Sequence, residues 1–156
     1  MSRLERIVAA VRERHPGALL AVEGDSRLPA LAVRPEKVVP LLWLLRKDFE
    51  FESLMCETAS DRKESIVIVY HLFSTPHREK LSVRTDLPGE DPAIETVERI
   101  WKAATWYERE IFDLFGVVFQ GHSDLFRILL PPDWEGHPLR KDYEAAPEYH
   151  GVNIEW

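Results

Sequence analysis

A single cysteine, Cys56, stands among 156 residues. That count excludes an intramolecular disulfide and suits a reducing compartment. It also excludes a self-contained iron–sulfur cluster, which normally needs four thiolates or a mixture with histidine. Long apolar runs are missing. The longest candidate, Val38 to Leu45, is interrupted by Pro40 and falls well short of the roughly 20 residues that cross a bilayer. No G-x-G-x-x-G or Walker A loop offers a phosphate cradle, and no G-x-S-x-G elbow presents a nucleophile. Ser123 directly follows His122, and Cys56 has no obvious base. There is no H-x-x-x-H, and His122, His137 and His150 are not spaced for one helix or a zinc loop. Asp113, His122 and Asp133 could meet at a metal only through tertiary folding. Internal repeats and low-complexity segments are absent too. Basic charge is scarce in the second half: residues 87–156 carry 6 Lys/Arg against 14 Asp/Glu, whereas residues 1–86 carry 14 against 13. A half that acidic repels a phosphate backbone and disfavours anionic lipid surfaces, so neither nucleic acid nor membrane insertion is expected.

What is present is an ordinary globular composition, 45% hydrophobic and 30% charged, enough for one domain with a real core. The Arg-rich N-terminus carries Glu5 and Glu13, unlike a mitochondrial presequence, and Leu4, Ile7, Val8 and Val11 share one helical face. The reading is a first helix capped by Ser2 and ending near His15–Pro16–Gly17. Leu19–Glu23 and Leu28–Val33 form a hairpin around Gly24–Asp25–Ser26. A second helix starts between Pro35 and Pro40 and ends in the cationic turn Arg46–Lys47. Phe51–Thr58 reads as a weak strand. Ile66–Phe73 reads as a strand buried on both faces, and Lys80–Thr85 as its half-exposed antiparallel partner. The class is α+β: two layers, helices on one face of a mixed sheet. Pro88–Gly89 and Pro92 then break the chain. A third helix is expected over Val97–Ala104, capped by Thr96, and a fourth from Thr105, where Thr105 and Glu108 match a capping box. It should end at Gly116 in the left-handed conformation. Residues 1–120 would form the α+β domain and residues 121–156 an extended C-terminal arm.

The densest stretch, WYEREIFDLFGVVFQGH (Trp106–His122), has the charged and aromatic look of an active site. Helical placement gives a plainer account. Tyr107, Ile111, Leu114 and Phe115 share a buried stripe, Arg109 and Asp113 pair along the surface, Glu108 serves the cap, and Glu110 lies off the apolar face. The arm that follows, rich in Gly, Pro and Trp, is either folded back on its own sheet or docked on a partner.

Three runs carry a resemblance: Trp106–Gly116 (WYEREIFDLFG), Phe119–His122 with Asp124-Leu125 and Arg127–Leu129, and Trp134–Tyr143 (WEGHPLRKDY). They closely resemble the C-subunit family of respiratory complex I, whose pattern is W-Y-E-R-E-x-[YF]-D-[LM]-[FY]-G, then G-H-P-D-L, then W-x-G-H-P-L-R-K-D-Y. The match covers Trp106–Tyr143 almost without gaps. The region before it, about residues 1–104, agrees in length and element order but shares little diagnostic sequence. Phe112 replaces the usual Tyr and Ser123 the usual Pro, changes confined to a hydroxyl and a local turn.

The resemblance implies a non-catalytic, peripheral-arm scaffold subunit beside the quinone-reducing module of a proton-translocating NADH:quinone oxidoreductase. It implies no cofactor on this chain, with iron–sulfur clusters, FMN and quinone on other subunits. The implied partners are chiefly the large, hydrogenase-like D subunit, with the B and I subunits nearby. The implied location is the cytoplasmic face of the bacterial inner membrane. By the same analogy Thr105, Glu108, Arg109, Glu110, Asp113 and Gly116 form the structural motif that anchors the arm to the domain. Gly121, His122, Arg127, Trp134, Gly136, His137, Arg140, Lys141, Asp142 and Tyr143 would meet the partner. Two other readings stay open: the equivalent subunit of a complex fed by ferredoxin or another donor, or of a membrane-bound hydrogenase; and a stand-alone enzyme using Asp113 and His122.

Overall fold

The computed structural model of the chain describes residues 1–25 and 27–154. Ser26 of the expected hairpin turn and the last two residues of the arm therefore lie outside the described residues. Helix α1 spans Arg3–Arg14 and begins with a full capping box, Ser2 and Glu5 each bonding the other's backbone N–H. Strands β1 (Leu19–Asp25) and β2 (Leu28–Val33) form the expected hairpin. Pro35 opens a single 3-10 turn, Pro35–Lys37, and Pro40 falls in the first turn of α2 (Val38–Asp48). Each is thus tolerated where the missing N–H has no helical partner.

Strands β3 (Ser53–Asp61), β4 (Ser65–Ser74) and β5 (Glu79–Pro88) complete a five-stranded sheet in the order β1-β2-β5-β4-β3. It is mixed: β2 runs parallel to β5, and the other neighbours are antiparallel. The hairpin of β4 and β5 is as expected, and β5 is half-exposed as its alternation reads, with Lys80 and Asp86 exposed and Arg84 half-buried on its second face. It lies at the sheet's centre, bonded on both edges, with Leu81, Ser82, Val83, Thr85 and Leu87 all buried. On the second face only Ser82 is fully buried.

Ile66, Ile68, Tyr70 and Leu72 of β4 pair with Leu87, Thr85, Val83 and Leu81, and their common face forms the core under the helices. Leu41, Leu42 and Leu45 of α2 and Ile7 and Val11 of α1 fill it. Among the described residues there are three α-helices, not four. Val97–Ala103, expected to be helical, is a chain of turns, and the third helix, α3, runs Ala104–Phe115 over β3. Short strands β6 (Ala93–Glu95) and β7 (Val118–Gln120) pair in parallel on either side of it. From Gly121 the chain is irregular, apart from a two-residue-per-strand hairpin, β8 (Glu148–Tyr149) and β9 (Val152–Asn153).

Candidate functional site: helix α3 and the arm that closes it

Helix α3 is buried on two sides. Ile111 and Phe115 face the sheet with half-buried Tyr107 and Leu114 beside them, as its periodicity requires. Glu108, Arg109 and Asp113, expected on the surface or at a cap, are buried as well. Their partners are distant in sequence.

Asp113 does not pair with Arg109. Its Oδ1 accepts from Arg127 Nη1 at 2.7 Å, and its Oδ2 accepts from the backbone N–H groups of Ile128, Leu129 and Leu130 at 3.0, 2.7 and 2.9 Å. Burial alone would raise this carboxyl, but the N–H donors and the guanidinium hold it below the usual carboxylate range. Arg109 instead turns outward along the arm, donating to the carbonyls of Phe126 and Arg127 at 3.2 and 3.3 Å. Its guanidinium lies 3.7 Å from the Phe126 ring centroid and 5.3 Å from that of Trp106. A pairing at i, i+4 has given way to two longer-range ones, because a buried charge is best met by several donors at once.

The last four carbonyls of a helix have no partner within it. In α3 the Phe112 carbonyl accepts from Gly116 N–H at 2.9 Å. The Asp113 carbonyl accepts from Arg127 Nη1 at 3.0 Å and from His137 Nδ1 at 2.9 Å. The Leu114 carbonyl accepts from Leu139 N–H at 3.0 Å, and that of Phe115 from Arg140 Nη1 at 3.4 Å. The arm thus caps the helix, bringing two cations to the negative end of its dipole. Gly116 takes the expected left-handed conformation, φ 76°. A Cβ there would also lie 2.6 Å from the His137 ring, so the site needs glycine for space as well as for φ.

Arg127 Nη2 reaches on to the carbonyls of Trp134 and Gly136, both at 2.8 Å. Arg140 Nη2 bonds the Gly89 carbonyl at 2.6 Å, and Lys141 N–H bonds Asp61 Oδ2 at 2.8 Å, which ties the arm to the β3–β4 end of the sheet. Trp134 packs against Tyr149, with ring centroids 5.2 Å apart. Tyr143 covers Gly136, while Asp142 is exposed and pairs with Arg140 at 3.3 Å. Gly121 turns the chain at φ 79° ahead of His122.

At the other end of α3 the expected capping box is absent. Ala103 occupies the cap position, no side chain caps the helix, and Thr105 sits inside the first turn. Glu108 accepts instead from the Thr96 hydroxyl and from Val97 N–H (2.7 Å). Burial raises Glu108 to about 7 against the opposing pull of those two bonds. Glu57 of β3 is pushed well above the carboxylate range, first by burial and then by Glu108. Neither its carboxyl oxygens nor the buried Tyr70 hydroxyl has a hydrogen-bond partner among the described residues. His122 completes the group. Its Nδ1 accepts from Asp124 N–H and its Nε2 donates to the Thr105 carbonyl at 3.1 Å, with Glu108 and Glu98 carboxylates 3.7 and 3.8 Å away. Glu110 is exposed. Glu57 and Glu98 carry no motif signal, a lone Glu inside the alternating strand β3 being the one available hint; Thr96, read as a cap, does accept from Glu98 N–H at 3.1 Å.

Asp113, His122 and Asp133 are not brought together. Asp113 sits about 12 Å along the helix axis from the turn that His122 covers, and Asp133 bonds Tyr149 and His150. Among the described residues no cluster of His, Cys, Asp or Glu could hold a metal ion, and no helix is long and apolar enough to cross a membrane.

Residues 31–149 match the family described as respiratory-chain NADH dehydrogenase, 30 kDa subunit. The chain belongs to that family. The NADH-quinone oxidoreductase C subunit of Geobacter metallireducens is 37% identical over 147 residues, covering 92% of this chain and 91% of that one. Its counterpart from Roseiflexus castenholzii is 36% identical over 147 residues, covering 91% and 84%. Among solved structures, the trypsin-resistant fragment (1–134) of Nqo5 aligns with a TM-score of 0.66 at 31% identity, over 80% of this chain and all of that one. A chain of the archaeal membrane-bound sulfane sulfur reductase, a respiratory membrane complex, aligns with a TM-score of 0.76 at 30% identity, over 92% and 86%. Membership in the complex I 30 kDa family agrees with a site made of structural bonds.

Proposed function

We propose that this chain is a non-catalytic scaffold subunit in the peripheral arm of a proton-translocating NADH:quinone oxidoreductase. In this reading it lies beside the quinone-reducing module, at the cytoplasmic face of the bacterial inner membrane. The hydrogenase-like D subunit is its chief neighbour, the B and I subunits lie close, and the iron–sulfur clusters, FMN and quinone belong to other subunits. Residues 121–156 act as the docking arm.

One observation carries the reading. Arg127, His137 and Arg140 of the arm are turned inward onto α3, while Phe126, Leu129, Leu139 and Val152 remain 51, 61, 52 and 62% exposed. Trp106, at 60%, adjoins Phe126 through Arg109. Large apolar side chains left outside on a segment ordered by buried charge are suited to a partner's surface. Of the expected contact residues, Arg127, His137 and Arg140 therefore serve docking by shaping the arm.

The test is a Leu129→Ser/Leu139→Ser double variant, at two exposed side chains. The isolated chain should melt as wild type, yet fail to enter the peripheral arm when expressed in place of the native subunit. Normal incorporation would remove the docking role. The likeness to the sulfane sulfur reductase chain favours a second reading, the equivalent subunit of a complex with another electron donor. Turnover of the purified complex with NADH, against reduced ferredoxin, separates the two.

A further inference from the structure

The end of the sheet away from the arm carries an unexplained groove. It encloses about 550 Å³ between the N-terminal turn of α1, the β1–β2 turn and the β4–β5 turn. Leu4, Pro29 and Phe51 line it, and Arg27, Arg78 and Lys80 stand on its rim. Arg3 is also there but is already engaged, with Glu79 at 3.2 Å, the Phe49 carbonyl and the face of Phe51. The three rim cations are exposed and form no ion pair among the described residues, in a chain whose net charge is −7.

Both turns that present these cations are braced from beneath. Asp25 Oδ1 accepts from the backbone N–H groups of Arg27 and Leu28 at 2.8 and 3.1 Å. Glu52 accepts from Thr75 N–H at 2.9 Å, and Glu50 meets His77 Nε2 at 2.7 Å. Arg78 follows at a positive φ of 52°. Glu79 in the lining is taken by Arg3, and Arg27, Arg78 and Lys80 stand on the rim without an ion pair among the described residues. Asp25, Glu50 and Glu52 are engaged in the turns. Such preorganisation lowers the entropy lost on binding.

We infer that this groove is a second docking site, one that takes an extended acidic segment of a neighbouring protein with an apolar side chain between its carboxylates. Cations from two separate turns flanking an apolar floor match several spaced charges better than one phosphate. A concavity between turns fits a chain better than the flat face of a membrane. The groove lies the length of β4 away from the arm's attachment at Asp61 and Gly89, about 33 Å for ten residues. It would therefore engage a different stretch of the assembly, and it stands whether or not the arm docks as proposed.

The test uses the full chain and a fluorescent nonapeptide of Asp and Glu around one central Phe, followed by anisotropy. Binding should be saturable and weaken with salt. Arg78→Glu/Lys80→Glu should reduce affinity at least about tenfold, as expected for reversing two steering charges. Replacing the peptide's Phe by Ala should reduce it severalfold. Arg27→Gln/Lys80→Gln gives the same direction with gentler chemistry, should the reversal disturb folding. Absence of saturable binding overturns the inference, as does equal affinity for the peptide without Phe or indifference to both double variants. Binding of phosphatidylglycerol vesicles through these residues, without binding of the peptide, overturns it in favour of a lipid surface.

Discussion

On the α1–α2 side of the sheet, Leu41, Leu42, Leu45, Ile68 and Leu72 are wholly buried and meet other apolar side chains. Between α3 and the arm, the buried groups are Glu108, Arg109 and Asp113, each met by donors or acceptors from residues 11 to 18 positions away. The first region is held by area removed from water, which tolerates changes of shape if volume is kept. The second is held by polar groups whose worth depends on every partner being in place, so removing one leaves others stranded. The second arrangement orders the arm while leaving Phe126, Leu129 and Leu139 exposed.

The sharpest way to break this contrast is Asp113→Ala. It strands the three N–H groups of residues 128–130 and removes the counter-charge of Arg127, which keeps only carbonyl partners, and should destabilise by about 3–5 kcal/mol. The loss should fall on the arm first. Trypsin cleavage after Arg127, Arg140 and Lys141 should accelerate while hydrogen exchange in β4 stays slow. Uniform loss of protection in both regions would mean that arm and sheet unfold as one unit. Leu42→Ala, of similar size at about 2–5 kcal/mol, should instead weaken both regions together.

A second distinction lies in pH. The folded pKa of Glu108, about 7, exceeds its ordinary value near 4.5, so the folded state holds that proton more tightly than the unfolded one. Its favourable contribution is complete below about 4.5 and is lost as pH rises through 7, on the order of 2–3 kcal/mol across the window. Glu57 acts in the same direction. Glu108→Gln, measured by urea unfolding from pH 5 to 8, should flatten the decline and gain on wild type as pH rises. A wild-type decline equally steep in the variant would place the proton elsewhere. The smallest effect concerns the two apparent capping boxes. Ser2→Ala should lower stability by about 1 kcal/mol, whereas Thr105→Ala, whose side chain caps nothing, should stay within about 0.5 kcal/mol. Equal losses would contradict the helix start at Ala104.

The elements legible in the sequence are those whose cause is local. Ser2 and Glu5 lie three apart and cap α1, Gly116 ends α3, and a β-branched run makes β4. Departures arise where a side chain finds a distant partner. Thr105-x-x-Glu108 fits the capping pattern, but Glu108 is drawn to Thr96 and Val97. Arg109 and Asp113 have the spacing of a surface pair, yet Arg127 and the 128–130 backbone displace the neighbour on the same helix. The family motif marks residues that do build the closure of α3. It does not say that Arg127, His137 and Arg140 face inward, since that depends on the arm's path and not on its composition.

The bond from Lys141 N–H to Asp61 joins groups 80 positions apart, which sets an order of events during synthesis. At roughly 5–20 residues per second, α3 is complete a second or more before the ribosome supplies His137, Leu139 and Arg140. In that interval its final carbonyls are open to water and its C-terminal turn is free to fray. The arm is thus a late latch, and a nascent chain has its sheet before the end of α3 is closed.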